Sequence, residues 1–354
     1  MALQQPQQQT ESEPAPDTDL AIEAENVHVT YDDGTEAVRG VDLAVAEGEF
    51  FGFLGPNGAG KTTTTRTLVT LLHPTAGSVR INGHDTTTEP QAVRKSIGYM
   101  AQETSIDFEL TPRENLRTAC QVYGVPTDER EGRIEELLDL VDLQDVADKR
   151  AETFSGGMQK RLDTATVLVH QPPVVFLDEP TTGLDPEARL RVWDYFEKIN
   201  DRGTTVFLTT QYLEEADQLC DRLAVLEDGQ IIADGTPQSL KSAVGTDTVT
   251  VELATAHQRS RAVEAVRSVD TLAAETVETT TDGLRIEAHD ARSATSDLFA
   301  AFAAAGISVE GFDVASPTLD DAFLTLTGDG LDDRDADRER ANDETPATPQ
   351  EVSR

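Results

Sequence analysis

The alternation of hydrophobic and polar residues changes period several times along the chain. Strand-like alternation occupies residues 21–31, 78–81 and 96–100. Continuous apolar runs, typical of buried parallel strands, occupy residues 49–54, 174–177 and 204–209. Helical spacing occupies residues 61–72, 187–199 and much of 111–170. Strands that alternate with helices in this way predict an α/β fold with a helical insert at about residues 103–170.

The pattern changes again after residue 245. The segments that follow are strand, helix, strand, strand, helix and strand, and a short helix closes the series at 319–326. This order predicts a small α+β domain of the ferredoxin-like type. We therefore predict one domain at residues 19–242 and a C-terminal accessory domain at 245–328. The ends, 1–18 and an acidic stretch at 329–354, are polar and aperiodic, which predicts disordered tails.

The composition is strongly acidic. Asp and Glu number 66 against 29 Lys and Arg, and the formal net charge is -37. Such a surface repels the phosphates of nucleic acid, so we expect no nucleic-acid partner. A cytoplasm of high salt screens self-repulsion between like charges. We therefore hypothesise a halophilic source.

Two cysteines and the absence of long apolar runs bear on location. Cys120 and Cys220 are too few for a disulfide framework and predict reduced thiols in the core. No run of about 18 apolar residues occurs, and the start of the chain lacks the layout of a secretory leader. We expect a cytoplasmic chain whose membrane association depends on a partner.

A glycine-rich segment at residues 55–63 fills every fixed position of the phosphate-binding pattern G-x-x-x-x-G-K-[ST]. This phosphate loop consists of Gly55, Pro56, Asn57, Gly58, Ala59, Gly60, Lys61, Thr62 and Thr63. It lies between a predicted strand and a predicted helix, where backbone N–H groups point at an anion. Lys61 would reach the β- and γ-phosphates, and the Thr62 hydroxyl would bind Mg²⁺. The loop predicts a nucleoside triphosphate ligand.

Two further segments suit the same chemistry. The apolar run at 174–177 ends in Asp178, suited to hold Mg²⁺, and Glu179, suited to act as general base on an attacking water. Residues 155–157, Ser-Gly-Gly, precede a predicted helix and offer a hydroxyl and N–H groups to a second anion. Alone, these segments are a solvated acidic turn and a simple helix cap. The phosphate loop in the same chain favours a shared site.

The order of these motifs resembles that of ATP-binding-cassette (ABC) ATPases over residues of about 21–240. In that resemblance 19–242 is an ABC ATPase domain that binds ATP and Mg²⁺. It implies a head-to-tail homodimer with two ATP molecules at the interface. Each would be held by the phosphate loop of one copy and by the signature of the other. The signature consists of Ser155, Gly156, Gly157 and Met158.

The resemblance also implies roles for four single residues. Tyr31 matches the aromatic residue that stacks on adenine, and Gln102 matches the glutamine that touches Mg²⁺ and the attacking water. Asp185 matches an aspartate at the dimer seam. Gln211 stands where a switch histidine usually contacts the γ-phosphate; its amide still donates a hydrogen bond but cannot become an imidazolium. We therefore expect hydrolysis to persist without a histidine titration at that position.

Three segments are similar to the daunorubicin-resistance type of ABC exporter ATPase. They are FSGGMQKRLD at 154–163, TTQYLEEAD at 209–217 and PTLDDAFLTLTG at 317–328. This resemblance extends through the C-terminal domain. It implies that ATP hydrolysis powers export of a drug, lipid or other hydrophobic compound through a separate integral-membrane permease of the ABC-2 type. The chain would then be peripheral on the inner face of the cell membrane.

Two alternative functions stay open. One is a soluble ABC ATPase for DNA repair or translation. The repair type inserts a long heptad coiled coil and the translation type carries two cassettes per chain; this sequence has neither, and its charge disfavours nucleic acid. The other is an ATP-sensing scaffold, against which the pair Asp178 and Glu179 argues. The transported substrate is not readable from the chain, because the permease usually supplies the path.

Overall fold

The structure, a computed structural model, describes residues 19–272, 274–289 and 291–327. The predicted tails at 1–18 and 329–354 lie outside the described residues. The chain divides into two compact units between Pro237 and Gln238. The domain limits 19–242 and 245–328 stay a prediction. Within the described residues, no helix has the length and apolar character needed to span a membrane.

Two sheets form the first unit. Its strands are β1 (Leu20–Thr30), β2 (Glu36–Ala46), β3 (Phe50–Leu54), β4 (Ala76–Ile81), β5 (His84–Asp85), β6 (Ile97–Met100), β7 (Val174–Asp178), β8 (Thr205–Thr210), β9 (Arg222–Glu227) and β10 (Gln230–Gly235). The first sheet is antiparallel in the order β2-β1-β4-β5. The second has the order β10-β9-β3-β8-β7-β6 and is parallel except at β10.

Helices accompany both sheets. They are α1 (Lys61–Leu68), α2 (Pro90–Ser96), α3 (Pro112–Val122), α4 (Arg130–Leu140), α5 (Gly156–Val167), α6 (Pro186–Asn200) and α7 (Leu213–Leu219). A further helix, α8 (Pro237–Val244), starts at the boundary and lies in the second unit except for its first residue. Short 3-10 turns lie at Gln144–Val146 and Ala151–Thr153. The predicted α/β fold with its helical insert is confirmed. The insert is formed by α3, α4 and α5.

The centre of the parallel sheet is apolar on both faces. Every residue of β3, β7 and β8 is buried, as expected for parallel strands covered on both sides. The ring of Phe207 on β8 lies 5.7 Å from Phe51, 5.5 Å from Phe53 and 5.3 Å from Phe176, measured between centroids. This aromatic cluster holds the three strands whose ends carry the site described below.

The second unit has the predicted ferredoxin-like order. Its elements are β11 (Asp247–Leu253), α9 (Arg259–Arg267), β12 (Ala274–Thr279), β13 (Gly283–Ala288), α10 (Thr295–Ala304), β14 (Val309–Ala315) and α11 (Leu319–Thr327), with 3-10 turns at Ala256–Gln258 and Asp270–Leu272. The sheet is antiparallel in the order β12-β13-β11-β14. Its buried core includes Val251, Ile286, Leu298 and Phe302. The predicted α+β class is confirmed.

One helix ends earlier than its apolar pattern suggests. The sequence predicts a helix over 61–72, but α1 ends at Leu68. Thr70 has a positive φ of 65°, and the N–H groups of Leu71 and Leu72 both turn back to the carbonyl of Arg66. A left-handed residue ends a helix because the next N–H can no longer reach its i−4 partner.

Candidate nucleotide-binding and hydrolysis site

The parallel sheet gathers most of the predicted site at one edge. Four neighbouring strands, β3, β8, β7 and β6, run in the same direction. After their carboxyl ends come, in that order, the phosphate loop, Gln211, Glu179 and Gln102. Asp178 is the last residue of β7. Ligands bind outside the carboxyl ends of strands in open α/β sheets, so the topology brings these predicted residues to one place.

Glycine is required at two positions of the phosphate loop. A Cβ on Gly55 would lie 2.4 Å from the carbonyl oxygen of Leu226, and one on Gly60 would lie 2.4 Å from that of Ala37. Gly60 is also the residue before α1 and has a left-handed φ of 109°. The backbone therefore turns tightly into the helix, and the positive end of α1 faces the loop.

Lys61 directs its ammonium group into the loop. Its side chain is 4% exposed, and its Nζ donates hydrogen bonds to the carbonyls of Gly55 at 2.6 Å and Pro56 at 3.2 Å. The same Nζ lies 4.0 Å from Oε1 of Glu179. Lys61 and Glu179 therefore meet across the gap between the ends of β3 and β7.

Tyr31 lies beside the first turn of α1. Its hydroxyl is 2.9 Å from the Oγ1 of Thr63, and the side chain is 40% exposed. Thr62 and Thr63 are half-buried in the first turn of α1. The structure thus places an accessible aromatic ring beside the phosphate loop, which suits stacking on a base.

Asp178 is almost fully buried at the end of β7. Its Oδ1 accepts a hydrogen bond from the hydroxyl of Thr209 on β8, and the residue is 2% exposed. Burial, together with the charge of Asp178, raises the pKa of Tyr99 on β6 to about 12. Thr209 is not predictable from the sequence, because no motif spacing links it to Asp178, which lies 31 positions away.

Glu179 has an unusual backbone conformation. Its φ is 48°, a left-handed value that is uncommon outside glycine. Two bonds fix it: its N–H donates to the carbonyl of Thr209 at 3.0 Å and to the Thr209 hydroxyl at 3.2 Å. Its Oε2 accepts a hydrogen bond from Nε2 of Gln102 at 3.3 Å. Strained backbone of this kind concentrates at functional sites.

The grouped side chains fit a nucleotide and a hard cation. The phosphate loop offers a buried ammonium and the positive end of α1, which suit an anion. Thr62, Gln102 and Asp178 offer a hydroxyl, an amide and a carboxylate, and oxygen atoms of these kinds are the ligands that Mg²⁺ prefers. Gln211 is half-buried and follows β8 directly. Because β8 lies between β3 and β7, Gln211 lies between the phosphate loop and Asp178 in the strand order.

The signature lies elsewhere, at the start of α5. Ser155 caps this helix by accepting a hydrogen bond from the N–H of Met158 at 3.4 Å. Ser155 and Gly156 are exposed, whereas a Cβ on Gly157 would lie 2.9 Å from the Cβ of Ala188. Asp185 caps α6 through a bond from the N–H of Ala188 at 2.9 Å. Ser155, Met158 and Asp185 line one open cavity of about 150 Å³.

Comparison with known proteins accounts for this arrangement. The family model described as ABC transporter matches residues 38–182. A second model, of the C-terminal domain of DrrA1-3-like ATP-binding proteins, matches residues 235–327. The daunorubicin resistance ATP-binding protein DrrA3 of Streptomyces coeruleorubidus is 44% identical over 88% of this chain and 97% of its own length. This chain belongs to the ABC transporter family.

Two further comparisons indicate which kind of ABC ATPase this chain resembles. The daunorubicin/doxorubicin resistance ATP-binding protein DrrA of Streptomyces peucetius is 43% identical over 92% of the chain and 98% of its own length. The dimeric structure of an ATP-binding cassette in a post-hydrolysis state, bound to ADP and Pi, is 29% identical over 61% of the chain and 98% of its own, with a TM-score of 0.56. The ABC ATPase is thus an ATP-binding and ATP-hydrolysing subunit of the exporter type that resembles DrrA proteins, as the sequence predicted.

One buried acid in this ABC ATPase was not singled out from the sequence. Glu215 on α7 is 0% exposed, and its Oε1 accepts hydrogen bonds from Thr181 and from the indole of Trp193, each at 2.9 Å. Burial raises the pKa of Glu215, whereas hydrogen bonds from Thr210, Thr181 and Trp193 act in the opposite direction. This acid links the turn after Glu179 to the start of α7.

Proposed function

We propose that this ABC ATPase powers the export of a drug or related hydrophobic compound through a separate ABC-2 permease in the cell membrane. The observation that carries the proposal is the convergence of the phosphate loop, Asp178, Glu179 and Gln102 at one sheet edge. Similarity to daunorubicin-resistance proteins along nearly their whole length supports the export class. The same similarity disfavours a DNA-repair or translation ATPase, and an exporter of lipid or sodium of the same broad type is the alternative within the export class.

The binding half of the proposed mechanism uses residues of one copy. Lys61 and the backbone of residues 55–63 hold the β- and γ-phosphates, and Tyr31 stacks on adenine. Thr62, Asp178 and Gln102 hold Mg²⁺, which when bound neutralises charge that develops on the phosphates. Thr209 and Tyr99 surround Asp178 and fix the position of its carboxylate.

The hydrolytic half uses Glu179 and Gln211. Glu179 accepts the proton of the attacking water, and its carboxylate is positioned by Gln102 and by its fixed backbone. Gln211 donates a hydrogen bond to the γ-phosphate. Because the Lys61 ammonium lies 4.0 Å from Glu179, the base and the phosphate-binding cation belong to one site.

A second copy completes the site in this proposal. Ser155 and Gly156 of the signature are exposed at the start of α5 and Met158 is half-buried, and a helix start with a free face suits a γ-phosphate from outside the chain. Asp185 lines the same cavity, as expected at a dimer seam. We therefore propose a homodimer, held on the inner face of the membrane by the permease.

The function is tested with the variant Glu179→Gln in material purified from membranes. We expect the wild-type chain to co-purify with a protein of about six apolar spans, each of about 20 residues, and to hydrolyse ATP faster when a hydrophobic drug is added. Glu179→Gln should bind ATP normally and turn over at least about 100-fold more slowly. The exposed acid Glu197, also changed to Gln, is the control and should keep wild-type turnover.

Two results would contradict the proposed function. One is undiminished turnover in Glu179→Gln, which removes the assigned base. The other is that no membrane-spanning protein co-purifies with the chain, either from membranes or from the soluble fraction. The latter result would favour a soluble ABC ATPase.

A further inference from the structure

The segment that carries Gln102 has no regular backbone structure. Residues 101–111 connect β6 to α3 without a helix or strand. A segment without a hydrogen-bonded ladder is free to adopt several conformations unless side chains fix it. Yet the amide of Gln102 must lie within hydrogen-bond distance of Glu179, where the structure has it at 3.3 Å. Some other element must therefore hold this segment.

Two charged side chains of α5 contact it. The Nζ of Lys160 donates to the carbonyl of Gln102 at 3.0 Å. The Oδ1 of Asp163 accepts from the N–H of Ser105 at 3.2 Å and also from the Ser105 hydroxyl. These contacts bracket the segment at its second and fifth residues. They fix its backbone on both sides of Glu103 and Thr104.

Burial of the Asp163 carboxylate is energetically unfavourable. It is 1% exposed, and its other oxygen, Oδ2, has no hydrogen-bond partner among the described residues. Burying a carboxylate with one oxygen unsatisfied lowers stability relative to an apolar side chain. Burial also lowers the pKa of Lys160, while the charges of Asp163 and Asp178 oppose that shift. Stability alone therefore does not account for this pair of charges.

The same helix carries the signature. Ser155 caps α5, and Asp163 lies eight residues further along. At 1.5 Å per residue that separation is about 12 Å, which an α-helix spans as a stiff rod. Movement of the signature end is therefore transmitted to Lys160 and Asp163, and from them to residues 102–105.

We infer that Asp163 and Lys160 are positioning residues for ATP hydrolysis: from the signature helix they hold Ser105 and the Gln102 backbone, so that the Gln102 amide orients Glu179. The inference rests on the proposed function, in which Glu179 activates water. In the proposed dimer it has a directional consequence. The signature of one copy contacts the nucleotide that is bound by the other copy. Closure of the dimer around that nucleotide therefore moves α5 of the first copy and, through Lys160 and Asp163, affects the general base of the first copy.

The test uses ATP turnover and ATP affinity of the purified chain in four variants. In Asp163→Ala both bonds to Ser105 are lost, and we expect kcat to fall about tenfold, since small misplacements of catalytic groups cost up to about 100-fold. Ser105→Ala keeps the backbone bond and should cost about threefold; added to Asp163→Ala it should cost nothing more. Asp163→Asn keeps an acceptor oxygen and should retain more than about half of the wild-type kcat. The KM and Kd for ATP should stay within about twofold throughout.

Thr166→Ala provides the matched control. Thr166 lies on the same helix, is 8% exposed, and donates its hydroxyl to the Asp163 carbonyl at 2.7 Å; among the described residues its side chain makes no hydrogen bond to residues 101–106. It should lower the thermal midpoint as much as the other variants while kcat stays near wild type. If Asp163→Ala does not fold, Ser105→Ala and Asp163→Asn still decide the question.

Three outcomes would overturn the inference. They are a wild-type kcat in Asp163→Ala, an Asp163→Asn variant as slow as Asp163→Ala, and an equal loss of kcat in Thr166→Ala. The Glu179→Gln variant distinguishes failure of the positioning inference from failure of the proposed function. If Glu179→Gln is inactive while Asp163→Ala is fully active, only the positioning role is lost; if Glu179→Gln is active, the assigned base is wrong.

Discussion

At the scale of single residues, the proposed site combines a constrained candidate base with an uncommon candidate switch residue. Glu179 is held at a φ of 48° by bonds from its N–H to Thr209. A non-glycine residue in this region costs about 1–3 kcal/mol, which persists where the surrounding structure dictates it. Gln211 supplies a neutral amide where a histidine would titrate. In the proposed mechanism, ATP hydrolysis therefore does not depend on the protonation state of an imidazole.

The neutral switch residue predicts a particular pH profile. Wild-type kcat should show no titration with a midpoint near pH 6.5, the ordinary pKa of histidine. Gln211→His should introduce one, because an imidazole gains or loses its charge in that range. Gln211→Ala should lower kcat about tenfold or more through loss of one phosphate donor. The measurement is kcat between pH 5.5 and 9 in the three proteins; a wild-type midpoint equal to that of Gln211→His would disprove the assignment.

How much of the site the sequence predicted depends on how local each contact is. The phosphate loop, Asp178 and Glu179 were predicted because each motif is a short run at a strand end, which fixes its chemistry without long-range information. Thr209 and Ser105 were not, since their partners Asp178 and Asp163 lie 31 and 58 residues away. Such pairs follow from strand order and helix packing, and the sequence determines those only through the complete fold.

At the scale of elements, the strands β3, β8, β7 and β6 explain the site better than any motif. Buried apolar runs make β3, β7 and β8 recognisable, and the adjacency of all four strands places the four predicted segments together. β2 was not predicted, because its buried residues Val38 and Val41 are three positions apart, which breaks the alternation that marks a strand. β10 and α7 are short and flanked by turns, so their patterns are too brief to be recognised.

The buried acid on α7 predicts a pH effect on stability. The pKa of Glu215 is raised in the folded state by burial. Its contribution to stability is therefore full below its unfolded pKa of about 4.3 and is lost as pH rises through the folded pKa. Glu215→Gln, which cannot ionise, should gain stability relative to wild type as pH rises from 5 to 8. The midpoints of denaturant unfolding at the two pH values measure this.

Glu214→Gln is the matched control for that experiment. Glu214 is the preceding residue on the same helix and is exposed. Its replacement should leave the pH dependence as in wild type. Identical pH dependence in wild type and Glu215→Gln would show that Glu215 is ionised in the fold at no cost.

At the scale of the whole molecule, charge is the dominant property. The net charge of -37 is distributed over a chain of 354 residues with only 29 Lys and Arg to compensate. Self-repulsion of this size opposes the compact state, and salt reduces it by shortening the Debye length from about 10 Å at 0.1 M to about 3 Å at 1 M.

The hypothesis of a halophilic source therefore predicts salt-dependent folding. Raising KCl from 0.05 M to 2 M should raise the thermal unfolding midpoint by about 10 °C or more, because a few kcal/mol shifts a domain of this size by that amount. Sucrose of the same osmolality is the control and should have a smaller effect, since it does not screen charge. A folded circular dichroism spectrum and full turnover in dilute buffer, unchanged by molar KCl, would contradict the hypothesis.

In the proposed homodimer, each working site is assembled from two copies of the chain. A mixture of two inactive variants tests this arrangement. Lys61→Met removes the phosphate-binding ammonium, and Ser155→Asp keeps the cap of α5 while setting a carboxylate against the phosphate. A mixed dimer would contain one site with both defects and one with neither.

Turnover of ATP by the mixture is the measurement. Each variant alone should be inactive, and equal amounts together should recover about a quarter of wild-type turnover, since half of randomly paired dimers are mixed and each has one intact site of two. Two tags, one on each variant, would establish that mixed dimers form. A mixture that forms mixed dimers yet stays as inactive as its components would contradict a site shared between copies.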